Sequence, residues 1–394
     1  MNAPAKQPTL ATEFAGSPLR LGRMVLVTGA LTLLTLGLYG FWGKARLRRW
    51  YWSAIRPGGM PLEYTGNGFE TFTSFLWTIV FLILWFGVAS TVFVVAGVSL
   101  WGDPRIGPAL TLGLLVPVWL WVRFKRRSYI ISRTRWRGLR FRVEARGVAY
   151  VMRVFWHLLL TILTLGLLWP RMTYRLEAFR TERTFYGVHQ IRQGGRWQML
   201  FPAYVPAYLT LLAMAGIGYV AATMDARAVA GFAPLGVLFL LFALRYRLKS
   251  QHLMIGHKTI GAVRLGSAAV PRRVMRIAIF NGVAIGVILA LPLVLIAAVL
   301  IAVRPDATLP DPSALMAMGP VVWGGAGVGL VLLIAAMLLA QVLRHVLIVM
   351  PIRRYYASSL TISGRELSQG LGRPKSQRRK AQGKRPAPRK GAKT

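Results

Sequence analysis

Long apolar stretches separated by shorter polar segments make up most of this chain. Six stretches are long enough to cross a hydrocarbon core of about 30 Å, which takes about 20 helical residues. The predicted spans are Phe72–Leu100, Ile106–Val122, Gln198–Thr223, Val229–Leu244, Ile277–Val303 and Met318–Val342. Short connections join them in pairs, so the pattern predicts three transmembrane helical hairpins.

Two further apolar segments, Met24–Trp42 and Val148–Pro170, lie between basic segments. Arg153 and His157 interrupt the second one and leave only Leu158–Pro170, about 20 Å as a helix, which is short for a crossing. One crossing by each segment would put basic loops on opposite faces. We therefore predict half-helices that enter and leave on one side, with eight plain spans as the alternative.

Charge divides the connections into two classes. The chain has 50 Lys and Arg against 11 Asp and Glu, and too few charges overall to cover a soluble domain. Segments 43–70, 123–147, 171–197 and 245–276 and the tail from 351 carry five, ten, six, eight and thirteen basic residues. Basic loops stay in the cytoplasm, so we predict a multi-pass membrane protein with a cytoplasmic C-terminus. The absence of cysteine excludes disulfides and thiolate chemistry.

The two odd segments resemble each other, as LTLLTLGLYGFWGKARLRRW (31–50) and LTILTLGLLWPRMTYRLEAF (160–179). At an offset of 129 residues the shared motif positions are Thr35, Gly37, Arg46, Thr164, Gly166 and Arg175. We predict a cytoplasmic segment 1–23, membrane repeats 24–147 and 148–276, a partial repeat 277–370 and a disordered basic tail 371–394. Alternation in LRFRVEA (139–145) predicts small β-elements on the cytoplasmic face. The predicted fold class is an all-α polytopic membrane protein with three transmembrane hairpins and two TLGL half-helices or short spans.

The stretches TLGLYGFWGKARLRRWYW (35–52) and LEYTGNGFETFTSFL (62–76), with FAG at 14–16, resemble the YjgN-like bacterial inner-membrane proteins, a domain-of-unknown-function family. The resemblance is specific over about residues 14–80. The second copy departs from it, because Thr173 replaces the expected basic residue. The resemblance implies the bacterial inner (cytoplasmic) membrane as location and supplies no catalytic residues.

The candidate chemistry is sparse. The chain has no nucleotide-binding or hydrolase motif, and its five histidines lack metal-ligand spacing, so we predict no enzyme activity, no cofactor and no metal site. Ionisable residues in an apolar helix are candidates for function. They give a possible polar intramembrane site made of Arg153, His157, Thr161 and Thr164. In the alternative interpretation Arg153 reaches the interface and His157 bonds a carbonyl. No Asp or Glu lies in a predicted span, so any transported solute is expected to be neutral or anionic.

Basic residues at the helix ends alternate with aromatic ones and fit anionic lipid headgroups. The predicted lipid contacts are Lys44, Arg46, Arg48, Arg49, Arg123, Lys125, Arg126 and Arg127. Small-residue patches predict tight helix packing within the monomer, with a homo-oligomer contact as the alternative. The tail could contact anionic lipid or, non-specifically, nucleic acid or the ribosome. The predicted function is transport of a neutral or anionic solute, or lipid handling. The alternative is a non-catalytic structural or assembly factor acting through its basic face and tail.

Overall fold

The computed structural model describes residues 9–103, 105–144, 146–224, 226–303 and 320–364. Within these ranges the chain is mostly helical. The helices are α1 Pro18–Leu34, α2 Gly40–Ala54, α3 Gly68–Leu84, α4 Ser90–Trp101, α5 Ile106–Ser132, α6 Gly147–Leu163, α7 Trp169–Glu182, α8 Phe201–Thr223, α9 Phe232–Gly256, α10 Pro271–Val303, α11 Pro320–Leu343 and α12 Met350–Ser359. A π-helical turn at Trp85–Ala89 joins α3 to α4, and another at Arg344–Val349 joins α11 to α12. The second turn precedes Pro351, which has no N–H to donate to the carbonyl of Leu347.

Six helical segments in the described ranges are long and apolar enough to cross a membrane. They are Gly68–Trp101, Ile106–Ser132, Trp197–Thr223, Val229–Gly256, Pro271–Ala290 and Val331–Ser359. Each overlaps one predicted span, so the six apolar crossings and a polytopic membrane protein are the supported part of the predicted fold. The helices α1, α2, α6 and α7 are not among the six.

Ten strands form one antiparallel sheet at one end of the helices. The strands are β1 Thr9–Phe14, β2 Ile55–Pro57, β3 Leu62–Tyr64, β4 Thr134–Trp136, β5 Leu139–Val143, β6 Thr184–Tyr186, β7 His189–Gln193, β8 Lys258–Ile260, β9 Val263–Ser267 and β10 Leu360–Ser363. Their spatial order is β2-β1-β10-β9-β8-β7-β6-β5-β4-β3, and β2 also contacts β3 across their turn. The sheet is therefore a closed ring, which we call the strand ring.

The strand ring has an apolar interior. Trp136, Tyr186, Ile260, Val263 and Ile362 form its buried core. Further apolar side chains of the ring pack against that core, namely Leu10, Leu62, Leu139, Phe141, Ile191 and Leu265. The Tyr186 hydroxyl donates to the carbonyl of Trp136 at 3.0 Å, which satisfies a polar atom that would be costly to bury alone. Side chains thus fill the centre of the ring.

The ring corrects two sequence expectations. The fold is not all-α, because the predicted small β-elements join into one continuous ring. Residues 9–14, predicted to be part of a simple N-terminal segment, form β1, which pairs with both β10 and β2. The reason is cross-strand pairing between distant segments, which local alternation does not specify. Within the described residues, each of the five basic segments contributes at least one strand to the ring.

The TLGL motifs are turns between two helices rather than parts of a continuous rod. Leu36 and Gly37 have φ of 50° and 95°, and in the second copy Leu165 and Gly166 have φ of 50° and 90°. The Gly37 N–H donates to the Thr32 carbonyl at 2.6 Å, the bond that closes a Schellman cap. After the turn, α2 packs back on α1 and α7 packs back on α6.

Candidate functional site

Glu177 lies on α7 with only 14% of its side chain exposed. Arg127 from α5 donates to both of its carboxylate oxygens, at 3.0 and 3.3 Å. The Lys258 ammonium at the start of β8 lies 2.8 Å away, and the Arg180 guanidinium 3.0 Å away. We call these four residues the Glu177 cluster. It connects a long apolar helix, a TLGL hairpin and the strand ring.

The balance of charge in the Glu177 cluster fixes its ionisation. Burial raises the pKa of Glu177, but the neighbouring Arg127, Lys258 and Arg180 outweigh burial and hold the pKa well below its usual value. The carboxylate is therefore ionised at neutral pH. It neutralises one of three positive charges, so the cluster remains positive.

Local sequence explains this placement. Glu177 and Arg180 are three positions apart on α7 and share one helix face. Aromatic packing holds the two helices in position, since Phe124 of α5 and Phe179 of α7 belong to one buried core with Tyr150 of α6. The ions therefore meet beside a rigid apolar contact.

A second cluster lies between α2 and α12, as the Glu177 cluster lies between α7 and α5. Arg48 donates to the Tyr64 hydroxyl at 3.2 Å, and the Arg353 guanidinium lies 3.9 Å from the centre of the Tyr51 ring. Tyr51 is 1% exposed, and its hydroxyl lies 3.2 Å from Nδ1 of His345. We call Arg48, Tyr51, Tyr64 and Arg353 the Arg48 cluster.

Burial raises the pKa of Tyr51 to about 12, although Arg353 and Arg344 act to lower it. Its hydroxyl is therefore a neutral phenol at physiological pH. A phenol can share a hydrogen bond with His345 and present its ring to Arg353 at the same time.

The structure places Arg153, His157 and Thr161 on α6 and Thr164 at its C-terminal cap, without a hydrogen bond between their side chains. Arg153 is exposed and lies 4.7 Å from the centre of the Phe179 ring. The Thr161 hydroxyl donates to the His157 carbonyl at 2.7 Å, and the Thr164 hydroxyl to the Leu160 carbonyl at 2.9 Å. The two threonines thus satisfy their hydroxyls within their own helix.

Among the motif residues, Thr35 and Thr164 help to shape the turns. The Thr35 hydroxyl accepts from the Tyr39 N–H at 2.9 Å, and the Thr164 hydroxyl accepts from the Leu168 N–H at 3.3 Å. Gly37 and Gly166 supply the positive φ described above. Arg46 and Arg175 point outward and are exposed.

The predicted lipid contacts separate into two groups. Arg48 and Arg127 have partners inside the protein, in the two clusters. Six are exposed: Lys44, Arg46, Arg49, Arg123, Lys125 and Arg126. Of these, Arg49 donates to the Gly66 carbonyl at 3.2 Å.

A family model described as "Bacterial protein of unknown function (DUF898)" matches residues 9–305. The chain belongs to this family. The match confirms the resemblance to YjgN-like proteins and covers both TLGL hairpins and nine of the ten strands. No curated protein and no solved structure matches the chain.

Sequence reasoning missed Glu177, Arg180 and Lys258. The available signal for Glu177 was an acidic residue in a segment dominated by arginine. It also missed Tyr51 and Arg353. Neither differs in charge or type from its basic and aromatic neighbours in the sequence, so no signal marked them. In the described ranges, no group of three or more His, Cys, Asp or Glu could hold a metal ion.

Proposed function

We propose that this protein binds anionic phospholipids of the cytoplasmic leaflet of the bacterial inner membrane, acting by binding rather than by catalysis. The observation that carries the proposal is an apolar groove of about 790 Å³ between α1 and α11. Its lining residues are Pro18, Leu19, Gly22, Arg23, Leu26, Ala335, Leu338, Leu339, Val342 and Val346.

The groove suits one acyl chain with a negatively charged headgroup. Arg23 is the one charged residue in its lining, and it lies in the second turn of α1, close to the strand ring. Leu19 and Leu26 are 85% and 48% exposed, so the groove is open on its outer side. An acyl chain gains from contact with the apolar walls, and a phosphate near Arg23 gains from its charge.

Cations stacked on aromatic rings support the same function. Arg123 lies 5.2 Å from the Trp119 ring, and Lys125 lies 5.3 Å from the Trp121 ring. Aromatic side chains concentrate at membrane interfaces, where each nearby Lys or Arg attracts anionic lipid by about 1 kcal/mol. In this proposal the strand ring faces the cytoplasm and both TLGL hairpins enter the bilayer only in part.

Lipid binding is favoured over passage of a solute through the middle of the protein. The interior of the strand ring holds a packed apolar core that includes Tyr186 and Val263, so a polar solute would have no open route through the ring. A lateral groove needs no such passage. The proposal is thus the lipid-handling form of the function that the sequence predicts.

The test is lipid retention by the purified protein. The protein is incubated in mild detergent with equal amounts of phosphatidylglycerol and phosphatidylcholine of identical chains, and the retained lipids are quantified by mass spectrometry. We expect phosphatidylglycerol to be retained in excess. Arg23→Gln should lower the ratio of the two lipids about fivefold, since about 1 kcal/mol of attraction is lost.

Gly22→Leu should lower retention of both lipids by filling the groove. A β-carbon at Gly22 would lie at ordinary contact distance, 3.6 Å from Val346, so the backbone tolerates a side chain. The matched controls are Gly216→Leu, where a β-carbon meets nothing within 4 Å, and Arg264→Gln on the strand ring. Equal retention of both lipids by the wild type, or unchanged retention by Gly22→Leu, would refute the proposal.

A further inference from the structure

The Glu177 and Arg48 clusters occupy corresponding positions in the fold. Arg127 and Arg353 each lie seven residues before the strand that follows their helix, β4 and β10. Arg127 on α5 contacts Glu177 on α7, and Arg353 on α12 contacts Tyr51 on α2. Helices α7 and α2 are each the second helix of a TLGL hairpin. At the offset of 129 residues that relates the two TLGL motifs, Glu177 corresponds to Arg48. An arginine thus stands where the other cluster has its carboxylate.

This exchange leaves the Arg48 cluster without an internal counter-ion. Among the residues that the structure describes, no carboxylate lies within 4 Å of Arg48 or Arg353. The two guanidiniums face one group of aromatic rings: Arg48 contacts Tyr64, and Arg353 lies over Tyr51 and 5.9 Å from the Trp52 ring. Trp52 in turn packs against Tyr64.

Two partly buried cations with no carboxylate are costly unless an anion joins them. We infer that the Arg48 cluster binds a phosphate group, held by the guanidiniums of Arg48 and Arg353. Arginine is the side chain best suited to this, because its planar fork donates two parallel hydrogen bonds to a phosphate. The Tyr64 hydroxyl is 3.2 Å from Arg48 and keeps its own hydrogen for a third bond.

The phosphate could belong to a free anion or to a lipid headgroup, and the chemistry of recognition is the same. The site consists of residues other than the groove lining, so it does not depend on the proposed lipid function. Binding of free phosphate would establish the site whatever the groove holds. Loss of lipid binding in the groove variants would leave this inference unaffected.

The experiment measures thermal unfolding of the delipidated full-length protein in detergent. One arm titrates inorganic phosphate at constant ionic strength, and the other adds phosphatidic acid or phosphatidylcholine. We expect phosphate to raise the unfolding temperature of the wild type. If the site takes a headgroup, phosphatidic acid will act at a lower concentration than inorganic phosphate, and phosphatidylcholine, whose phosphate carries a bulky choline, will act more weakly.

Arg48→Gln should weaken the apparent phosphate affinity about 10- to 100-fold, the usual effect of losing one charge-assisted hydrogen bond. Arg48→Glu recreates the arrangement at Glu177. It should therefore unfold at a higher temperature than Arg48→Gln without ligand and show no response to phosphate. The matched control is Arg126→Gln, because Arg126 is exposed and should leave the affinity unchanged.

Three results would overturn the inference. The first is a wild-type unfolding temperature that neither phosphate nor phosphatidic acid changes. The second is a loss of phosphate affinity in Arg126→Gln as large as that in Arg48→Gln. The third is a rise in the unfolding temperature of Arg48→Glu with phosphate as large as that of the wild type. If Arg48→Gln does not fold, Arg353→Lys provides the same measurement, since it keeps the charge and removes the forked geometry. The expected result for Arg353→Lys is weaker phosphate binding at unchanged net charge.

Discussion

Replacing Glu177 with glutamine tests whether the Glu177 cluster stabilises the fold. The substitution keeps the size of the side chain and removes its charge. It leaves Arg127, Arg180 and Lys258 close together without a carboxylate within 4 Å among the described residues. All three cations must then be solvated or separated, which requires the contacts between α5, α7 and β8 to loosen.

The expected cost follows from the exposure of the four side chains. Removing one partner of a fully buried ion pair costs about 3–5 kcal/mol. Glu177 and Lys258 are 14% and 16% exposed, but Arg127 is 36% exposed and can turn partly to water. We therefore expect the lower end of the range, about 3 kcal/mol, which is about a hundredfold in the unfolding equilibrium.

The assay is unfolding in detergent micelles and phosphate-free buffer, followed by the fluorescence of the 13 tryptophans. Glu182→Gln is the matched control, because Glu182 lies on the same helix, is exposed and has no ion pair in the described ranges. A change below about 0.5 kcal/mol in Glu177→Gln, which is the size of an ordinary surface substitution, would refute the reasoning. Equal destabilisation by Glu182→Gln would also refute it.

Three further predictions concern acidification, the TLGL turn and topology. Because the pKa of Glu177 is lower in the folded protein than its ordinary value of 4.5, the ionised carboxylate stabilises the fold fully above pH 4.5. This stabilisation is lost as the pH falls toward the pKa of the folded protein. The stability of Glu177→Gln should therefore depend less on pH in acid unfolding than that of the wild type. Gly37→Ala should lower stability by about 1–2 kcal/mol in thermal unfolding, because φ is 95°, whereas Gly113→Ala on the open face of α5 should not. Because the chain has no cysteine, single cysteines can report topology through a membrane-impermeant thiol reagent. If the strand ring faces the cytoplasm, Val188→Cys in the ring should be labelled only after spheroplasts are permeabilised, and Asp103→Cys should be labelled in intact ones. The reverse pattern would refute a cytoplasmic strand ring.

The apolar helices were predictable because their signal is local. Each span is a run of side chains that only a lipid environment tolerates, so composition alone locates it. The TLGL turns were partly predictable. The short uninterrupted run Leu158–Pro170 favoured a half-helix over a simple crossing, and glycine marks a helix end. The pattern did not reveal that Leu36 also adopts a positive φ.

The strand ring and the two clusters were not predictable in the same way. Strands of three residues such as β2 and β4 carry almost no periodic signal, and their partners lie far away in the sequence. Glu177 meets Lys258 across 81 positions, a contact that only the closed sheet creates. The sequence predicts that all the basic residues at this helix end contact lipid, whereas the structure gives Arg127 an internal carboxylate, Glu177.

The position of β1 between β10 and β2 has a consequence for biogenesis. Of the ten strands, β1 is made first and its neighbour β10 last. Ring closure therefore waits until β10 has been made, and a chain that stops before β10 keeps an open sheet edge that invites wrong pairing. Because β1 and β10, the first and last strands along the chain, are paired neighbours, a permuted gene that links β10 back to β1 and starts at Gly138 should still assemble.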